Sequence, residues 1–464
     1  IISINTHTRV LNFASPIHTV AFQHFLEEHG IETTIIDYQP RYYGSYDIKH
    51  PLFYYIEHPY KNQERQELAL HEWKDLFYLQ EKRYQRFQEF KQKYYTKMTE
   101  RCYTWKTLNE EDPGFDCYIC ATDVIWKRNR VTGFEPGYFL ALNAMKGKNK
   151  IAYAPSRGAT DYTIAQEKEF LKLIADFDFI SARERSFKDY IDRITGLTVP
   201  HVLDPVFLND VSYYREMMTP PPAQHLPDPK QKYLLIYIVM ERPEELVKEA
   251  CRFAAKNNMQ VIELGQQLGN ADILEGYHHD VVYDIGIEEW LWYMDHAEYI
   301  FTNSFHACCF SILMHKQFFA GDRTGDKIDS VLEMFDLTWR RLPYSEMKGD
   351  LDRAMKKDPI EFNQVDEILE RQRKISEDYI LGAISELEHR DHQPLLPNVD
   401  DIIAKYPETL PDPPETVLQL GQQEEFERHK IERVEYERKF TTKCRHRAGR
   451  VKRKVKRGLK KALK

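Results

Sequence analysis

The feature that most constrains this chain is an alternation of short apolar runs of strand length with segments of helical period. Ile1–Asn5, Thr33–Tyr38, Cys117–Thr122, Ile151–Ala154 and Phe177–Ser181 are such runs, and helical patterns separate them. Apolar runs buried on both faces and joined by crossover helices build a parallel α/β sheet. The first helix is marked at both ends. Ser15 reads as its N-cap, Pro16 as its first position, Ile17, Val20, Ala21, Phe25 and Leu26 as its apolar stripe, and Gly30 as its stop.

At 464 residues the chain exceeds one ordinary core, since domains run to roughly 100–200 residues. The stretch 219–230, TPPPAQHLPDPK, holds five prolines and can continue neither a helix nor a central strand. It is expected to separate a first α/β domain, 1–218, from a second, 231–350. The alternation resumes there with Tyr233–Met240, a helix near Pro243–Asn257, Val261–Leu264, a helix near Ile287–Asp295, and Tyr299–Asn303. Within the first domain, residues 64–100 carry Trp73, Phe77, Tyr84, Phe87, Tyr94 and Met98 at helical spacing. This predicts a long amphipathic insertion whose aromatic stripe is packing surface. Residues 351–392 read as a charged helical segment. A second proline-rich stretch then opens 393–464, and the whole tail reads as an appendage to the body.

No stretch reaches the roughly 20 apolar residues of a membrane-spanning helix, and the first ten residues read as a buried strand without a charged leader or cleavage site. A soluble chain is expected. Seven cysteines form no spaced framework and leave one over, which fits a reducing cytosol. Cys117 and Cys120 make a CxxC within a strand-like run, where period-two alternation puts them on opposite faces as buried structural residues and not as a metal or redox pair. The net charge of −8 hides twelve Lys and Arg within 443–464; without them residues 1–442 carry −20. Nucleic-acid affinity is therefore not expected of the body.

Ligands of open α/β sheets bind beyond the carboxyl ends of the strands. Five polar groups end strands here: Asn12–Ser15, Asp123–Lys127, Ser156–Gly158, Arg183–Arg185 and Asn303–His306. Arg183 reads two ways, as a fork for a carboxylate or phosphate, or as a partner of Glu184. His306, closing TNSFH, reads as an acid–base or anion-binding imidazole aimed at the crevice or as a structural histidine. Arg157, between Ser156 and Gly158, stands in a turn whose amides could approach an anion. Asp123 reads as a substrate contact or a cap.

Along these same groups the chain resembles the polysaccharide pyruvyl transferase family, in order from the N-terminus to about Leu342. The opening strand, the helix after Asn12-Phe13-Ala14-Ser15 and the strand ending Ile35-Ile36-Asp37-Tyr38 match its start. Phe115 to Trp126 is similar to its central motif, which usually ends Gly-Ser-Asp-Gln-Val-Trp. Lys150 to Ser156, Ile180-Ser181-Ala182-Arg183-Glu184 and Val202-Leu203-Asp204-Pro205-Val206 follow. Ala297 to His306 resembles its A-D-x-V-x-T-D-S-F-H. The chain departs from the pattern at Ala14, Ala121, Thr122, Val124 and Asn303, where the family has Gly, Gly, Ser, Gln and Asp. Val124 removes two donors and an acceptor.

The resemblance implies an α/β fold of two Rossmann-like domains facing a cleft, as in GT-B glycosyltransferases, with a helical C-terminal extension. It implies transfer of the enolpyruvyl group of phosphoenolpyruvate to a sugar of a cell-surface polysaccharide, such as a capsule or exopolysaccharide, or its lipid-linked precursor, as a ketal with release of phosphate. No cofactor and no metal are expected. By matching position His306 and Arg183 become the leading candidates, His306 with Asp123 for catalysis and Arg183 with Ser156, Ser304 and Asn12 for substrate binding; Arg157, which stands where many members have an apolar residue, is a substrate-binding candidate as a replacement contact. Two other readings stay open: a GT-B-like glycosyltransferase using a nucleotide sugar, and a catalytically weak membrane-associated component of a polysaccharide assembly complex. In the tail, Val451, Val455, Leu459, Ala462 and Leu463 form one apolar stripe among the basic residues of 443–464. Such a helix suits an anionic membrane surface. The expected setting is cytoplasmic, extending to a peripheral position on the inner face of the membrane.

Overall fold

The computed structural model describes residues 2–5, 12–41, 79, 81–129, 132–158, 161–239, 243–265, 279–323, 325–343 and 347–408. Residues 1–128 and 134–409 form one compact unit, and residues 129–133 with 410–464 form another. Of the second unit Asn129, Thr132 and Gly133 are described, and Asn129 and Gly133 exchange backbone hydrogen bonds. The basic stripe of 443–464 and the aromatic residues Trp73 and Phe77 lie outside the described residues.

The strands are β1 (Ile2–Asn5), β2 (Thr33–Ile35), β3 (Tyr38–Gln39), β4 (Tyr103–Thr104), β5 (Cys117–Asp123), β6 (Asn149–Pro155), β7 (Phe179–Ile180), β8 (Tyr233–Ile238), β9 (Gln260–Gly265), β10 (Asp280–Val282), β11 (Tyr299–Thr302), β12 (Gln317–Gly321) and β13 (Arg341–Leu342). The helices are α1 (Ala14–Glu28), α2 (residues 81–94), α3 (Trp105–Glu110), α4 (Ile164–Ile174), α5 (Arg185–Thr195), α6 (Val211–Met217), α7 (Glu244–Lys256), α8 (Ile287–His296), α9 (Phe305–Leu313), α10 (Lys327–Met334), α11 (Met347–Ala354), α12 (Phe362–Leu387) and α13 (Val399–Ile403).

Two parallel sheets organise the first unit. One has the order β2-β1-β5-β6-β7, and the other β10-β9-β8-β11-β12-β13. Every ladder in them is parallel. Counted within each sheet these are the 2-1-3-4-5 and 3-2-1-4-5-6 orders of doubly wound, Rossmann-like folds. The order reverses between β1 and β5 in the first sheet and between β8 and β11 in the second. In doubly wound folds, strand-order reversals are where crevices open and ligands bind. In β5, Cys117, Ile119 and Ala121 enter one core, while Tyr118 and Cys120 enter the other. The cysteine pair therefore straddles the sheet, as the alternation predicts.

Several local expectations are corrected. α1 begins at Ala14, one residue before Ser15, and the Asn12 side chain accepts the Ala14 N–H at 3.0 Å. Pro16 thus sits in the first turn, where a missing N–H costs nothing. Gly30 does end the helix, at φ +75, with the Ile31 N–H returning to Leu26. The run Thr33–Tyr38 divides, because Tyr38 leaves the main sheet and pairs with Tyr103. The helix of the insertion stops at residue 94, short of Met98. Phe87 and Phe90 carry its apolar face, with the buried Arg83 beside them.

The segment expected to be an appendage is part of the body. Val365, Leu369, Ile380, Ala383, Ile384 and Leu387 of α12 are buried in the main core. Its Ser376 hydroxyl accepts the Leu203 N–H at 2.9 Å, and its Tyr379 hydroxyl donates to Ala152 O at 3.1 Å beside the first sheet. Beyond α12, Asp178 accepts from Arg390 at 3.0 Å and from the Gln393 N–H at 2.8 Å, and the His392 ring lies 2.9 Å from it. Periodicity identified the helix, but its charged face hid how much of it is covered.

Candidate active site

The reversal points of both sheets supply side chains to one place. β5 ends in Thr122 and Asp123, both at positive φ, with Asp123 at φ 60 and ψ −161. That region is almost confined to glycine and costs about 1–3 kcal/mol per residue, which surrounding bonds must offset. The Thr122 hydroxyl donates to Ala154 O at 3.1 Å and lies 3.3 Å from Asp204, while Asp123 O accepts the Ser156 N–H at 2.9 Å. In this conformation the Asp123 carboxylate meets Arg183.

Arg183 follows β7 and is buried. Its Nε donates to Glu184 at 2.9 Å, Nη1 to Asp204 at 2.8 Å and Nη2 to Asp123 at 3.4 Å. Three of its five N–H groups thus serve protein carboxylates, and the Phe305 ring covers its face at 4.3 Å. Of the two sequence readings the structure shows the pairing with Glu184, and the other carboxylates that Arg183 meets are the protein's own. The surrounding acids push its pKa up despite burial.

Asp204 stands in the motif Leu203-Asp204-Pro205. Its Oδ1 caps the following turn by accepting the Val206 N–H, and its Oδ2 faces Arg183 and His306. Burial would raise its pKa, but His306 and Arg183 hold the carboxyl well below the ordinary range. Asp123 is likewise held far down, with Lys327 and then Arg183 overcoming burial.

The second sheet contributes α9 and α10. Ser304 caps α9 by accepting the Ala307 N–H at 3.4 Å. This sets His306 in the first turn, with Nε2 3.4 Å from Asp204 Oδ2, within ion-pair range but without hydrogen-bond alignment. The buried His18 ring of α1 stacks on His306 with centroids 5.5 Å apart. Lys327, the first residue of α10, brings Nζ to 3.8 Å from Asp123 Oδ1. Burial lowers its pKa to about 8, against the pull of Asp123.

Of the residues singled out in the sequence, Asp123, Arg183 and His306 converge. Ser304 and Asn12 act here as helix caps, and Ser156 holds the Gly158 N–H at 3.1 Å. Arg157 turns away onto the rings of Tyr190, at 4.5 Å, and Phe187, at 5.7 Å, and reaches the exposed Asp161. Trp126 is a core residue, stacked on Phe139. Sequence reasoning missed His18, Asp204 and Lys327 as site residues. Asp204 was within reach, since it lies within a matching motif, whereas Lys327 has no local signal.

Among the described residues no group of three His, Cys, Asp or Glu is placed to hold a metal ion, and no helix is long and apolar enough to cross a membrane.

None of the curated proteins matches the chain. Among solved structures, a UDP-N-acetylglucosamine 2-epimerase from Neisseria meningitidis shares 11% identity, with a TM-score of 0.44 and coverage of 83% of this chain and 99% of that one. A putative UDP-N-acetylglucosamine 2-epimerase from Listeria monocytogenes also shares 11%, with a TM-score of 0.49 and coverage of 85% and 97%. A glycosyltransferase from Rickettsia africae shares 10%, with a TM-score of 0.40 and coverage of 87% and 99%. At TM-scores below 0.5 these likenesses are too loose to bear on fold or chemistry. The sequence itself is decisive: a family model described as polysaccharide pyruvyl transferase matches residues 19–320, and the chain belongs to that family.

Proposed function

We propose that this transferase moves the enolpyruvyl group of phosphoenolpyruvate onto two hydroxyls of a saccharide as a ketal, releasing phosphate. Family membership supports the reaction class. The observation that carries the residue assignment is the meeting of His306, from the second sheet, with Asp204 and Arg183 of the first.

Ketal formation requires a proton on the donor's methylene carbon, attack by one sugar hydroxyl on the adjacent carbon, loss of phosphate and attack by a second hydroxyl. Positive charge must face the donor's carboxylate and phosphate, and an acid–base group must serve the hydroxyls. Arg183 and Lys327 supply the charge. His306 is the acid–base group. Asp123 and Asp204 are held so far below the ordinary carboxylate range that they are weak proton acceptors. Their part is to fix Arg183, Lys327 and His306 in place. Arg157, turned onto aromatic rings, and Ser156, Ser304 and Asn12, engaged with backbone, shape the surrounding turns.

The test is phosphate release by His306→Gln, which keeps size and polarity but cannot shuttle a proton. A kcat lower by about 10²–10⁴ with unchanged thermal melting is expected, and near wild-type turnover would remove His306 from the mechanism. Arg183→Ala is a poor probe, because it strands three carboxylates. The acceptor belongs to a cell-surface polysaccharide or its lipid-linked precursor, in a cytoplasmic setting where the basic stripe of 443–464 could meet an anionic leaflet. Sedimentation with anionic vesicles, lost on removal of 443–464, would bear that out.

A further inference from the structure

The pyruvyl-transfer reading leaves open which group protonates the donor's methylene carbon, and the structure holds a lysine that its folding chemistry does not explain. Lys327 opens α10, where the helix dipole opposes a cation. Its side chain is only 14% exposed, so the ammonium has given up most of its water. The partner gained in return is remote: Asp123 Oδ1 is 3.8 Å away, beyond hydrogen-bond distance, and already bonded to Arg183. A lysine placed against its helix dipole, desolvated and incompletely paired is costly to keep unless it acts on something that enters the site.

Resting on that reading, we propose that Lys327 is the catalytic acid that protonates the methylene carbon of phosphoenolpyruvate and recovers its proton when the ketal closes. The carbon–carbon π pair takes a proton from the ammonium, leaving a neutral amine and making the adjacent carbon electrophilic. One sugar hydroxyl bonds to that carbon and yields its proton to His306. The carbon–oxygen bond to phosphate breaks with its electron pair on oxygen, and His306 returns its proton to the departing phosphate. The second hydroxyl then bonds to the same carbon and its proton restores the Lys327 ammonium. The donor and a diol become a methyl ketal and hydrogen phosphate, with both residues returned to their starting states.

The groups facing Lys327 suit this cycle. Burial disfavours the ammonium most, Asp123 from the first sheet steadies it, Arg183 and Arg323 disfavour it further, and Glu184 adds a smaller pull in its favour. The result is a lysine that loses its proton at about pH 8, far more readily than a solvated one. Arginine at this position would keep the charge but could not give up a proton in the working range.

Phosphate release from phosphoenolpyruvate with methyl glycopyranosides as diol probes, together with calorimetric titration of phosphoenolpyruvate, tests the assignment. Lys327→Arg is expected to bind phosphoenolpyruvate within about threefold of wild type and to lose kcat by about 10²–10⁴. Wild-type kcat/KM should fall above about pH 8, and that fall should be missing from the residual activity of Lys327→Arg. Should Lys327→Met fold, judged by its melting curve, it should lose kcat as well and bind more weakly. A Lys327→Arg enzyme with near wild-type kcat, or a wild-type kcat/KM that stays level to about pH 10, overturns the assignment and leaves pyruvyl transfer standing. Wild-type protein that neither binds phosphoenolpyruvate nor releases phosphate overturns both.

Discussion

At the scale of single residues, the departures from the family pattern divide by what each side chain touches. Asn303 stands where the family has Asp. Its Oδ1 accepts the Val239 N–H at 2.8 Å and its Nδ2 donates to Val239 O at 3.2 Å. A carboxylate could make the first bond but not the second, and it would face a carbonyl oxygen with negative charge. Asn303→Asp should therefore destabilise the fold by about 1–3 kcal/mol, read as a lower urea midpoint; an unchanged midpoint would mean that the amide bond contributes nothing. Thr122 keeps the hydroxyl of the family serine and uses it on Ala154 and Asp204. Val124 packs near Gly158, and nothing in the structure explains the loss of glutamine there. His306 and Arg183 were legible in the sequence because each comes just after a strand. The pairing of Arg183 with its neighbour Glu184 was legible too, but its bonds to Asp123 and Asp204 were not, since those two come from separate stretches of chain.

At the scale of elements, two helices tie the sheets together. α2, reached from the first sheet, places Arg83 against the second, where Nε donates to Tyr283 O at 2.7 Å and Nη2 to Gly265 O, and the guanidinium lies over Phe13 at 5.3 Å. Lys93 and Tyr94 reach Glu288 of α8 at 2.7 and 3.0 Å. α12 ties the sheets in the opposite direction, leaving the second at Asp366, 2.8 Å from His315, and meeting the first through Ser376 and Tyr379. Ser376→Ala would leave the Leu203 N–H, next to Asp204, buried without its acceptor. A loss of about 1–3 kcal/mol is expected, together with reduced turnover as the Asp204 loop loosens. Wild-type stability and turnover would show that another group takes the bond. The sequence marked both helices by period, but could not say what they bridge, because period fixes which residues share a face and not what covers that face.

At the scale of the whole molecule, the site is a charge network set between two sheets, and its protonation is coupled to folding. Asp123 and Asp204 have folded pKa values below the 3.8 of a free aspartate. The unfolded chain therefore binds more protons as the solution is acidified, so their contribution is fully present above about pH 4 and is lost as pH falls toward their folded values. Each unit of displacement corresponds to about 1.4 kcal/mol. Urea midpoints should hold above pH 4 and drop below it, less steeply in Asp204→Asn; equal slopes would place the acid sensitivity elsewhere. By itself the sequence determined the parallel α/β class, the opposite faces of Cys117 and Cys120, the family, and the strand ends at which Asp123, Arg183 and His306 stand. These follow from short-range rules of side-chain alternation, helix period and turn chemistry, which act over a few residues. Only the tertiary structure decided that His18 and Lys327 belong with them, that Arg157 does not, and that α12 is built into the body. Those outcomes depend on which loops converge when two sheets reverse their strand order, a matter of contacts between residues as distant in sequence as His18 and His306.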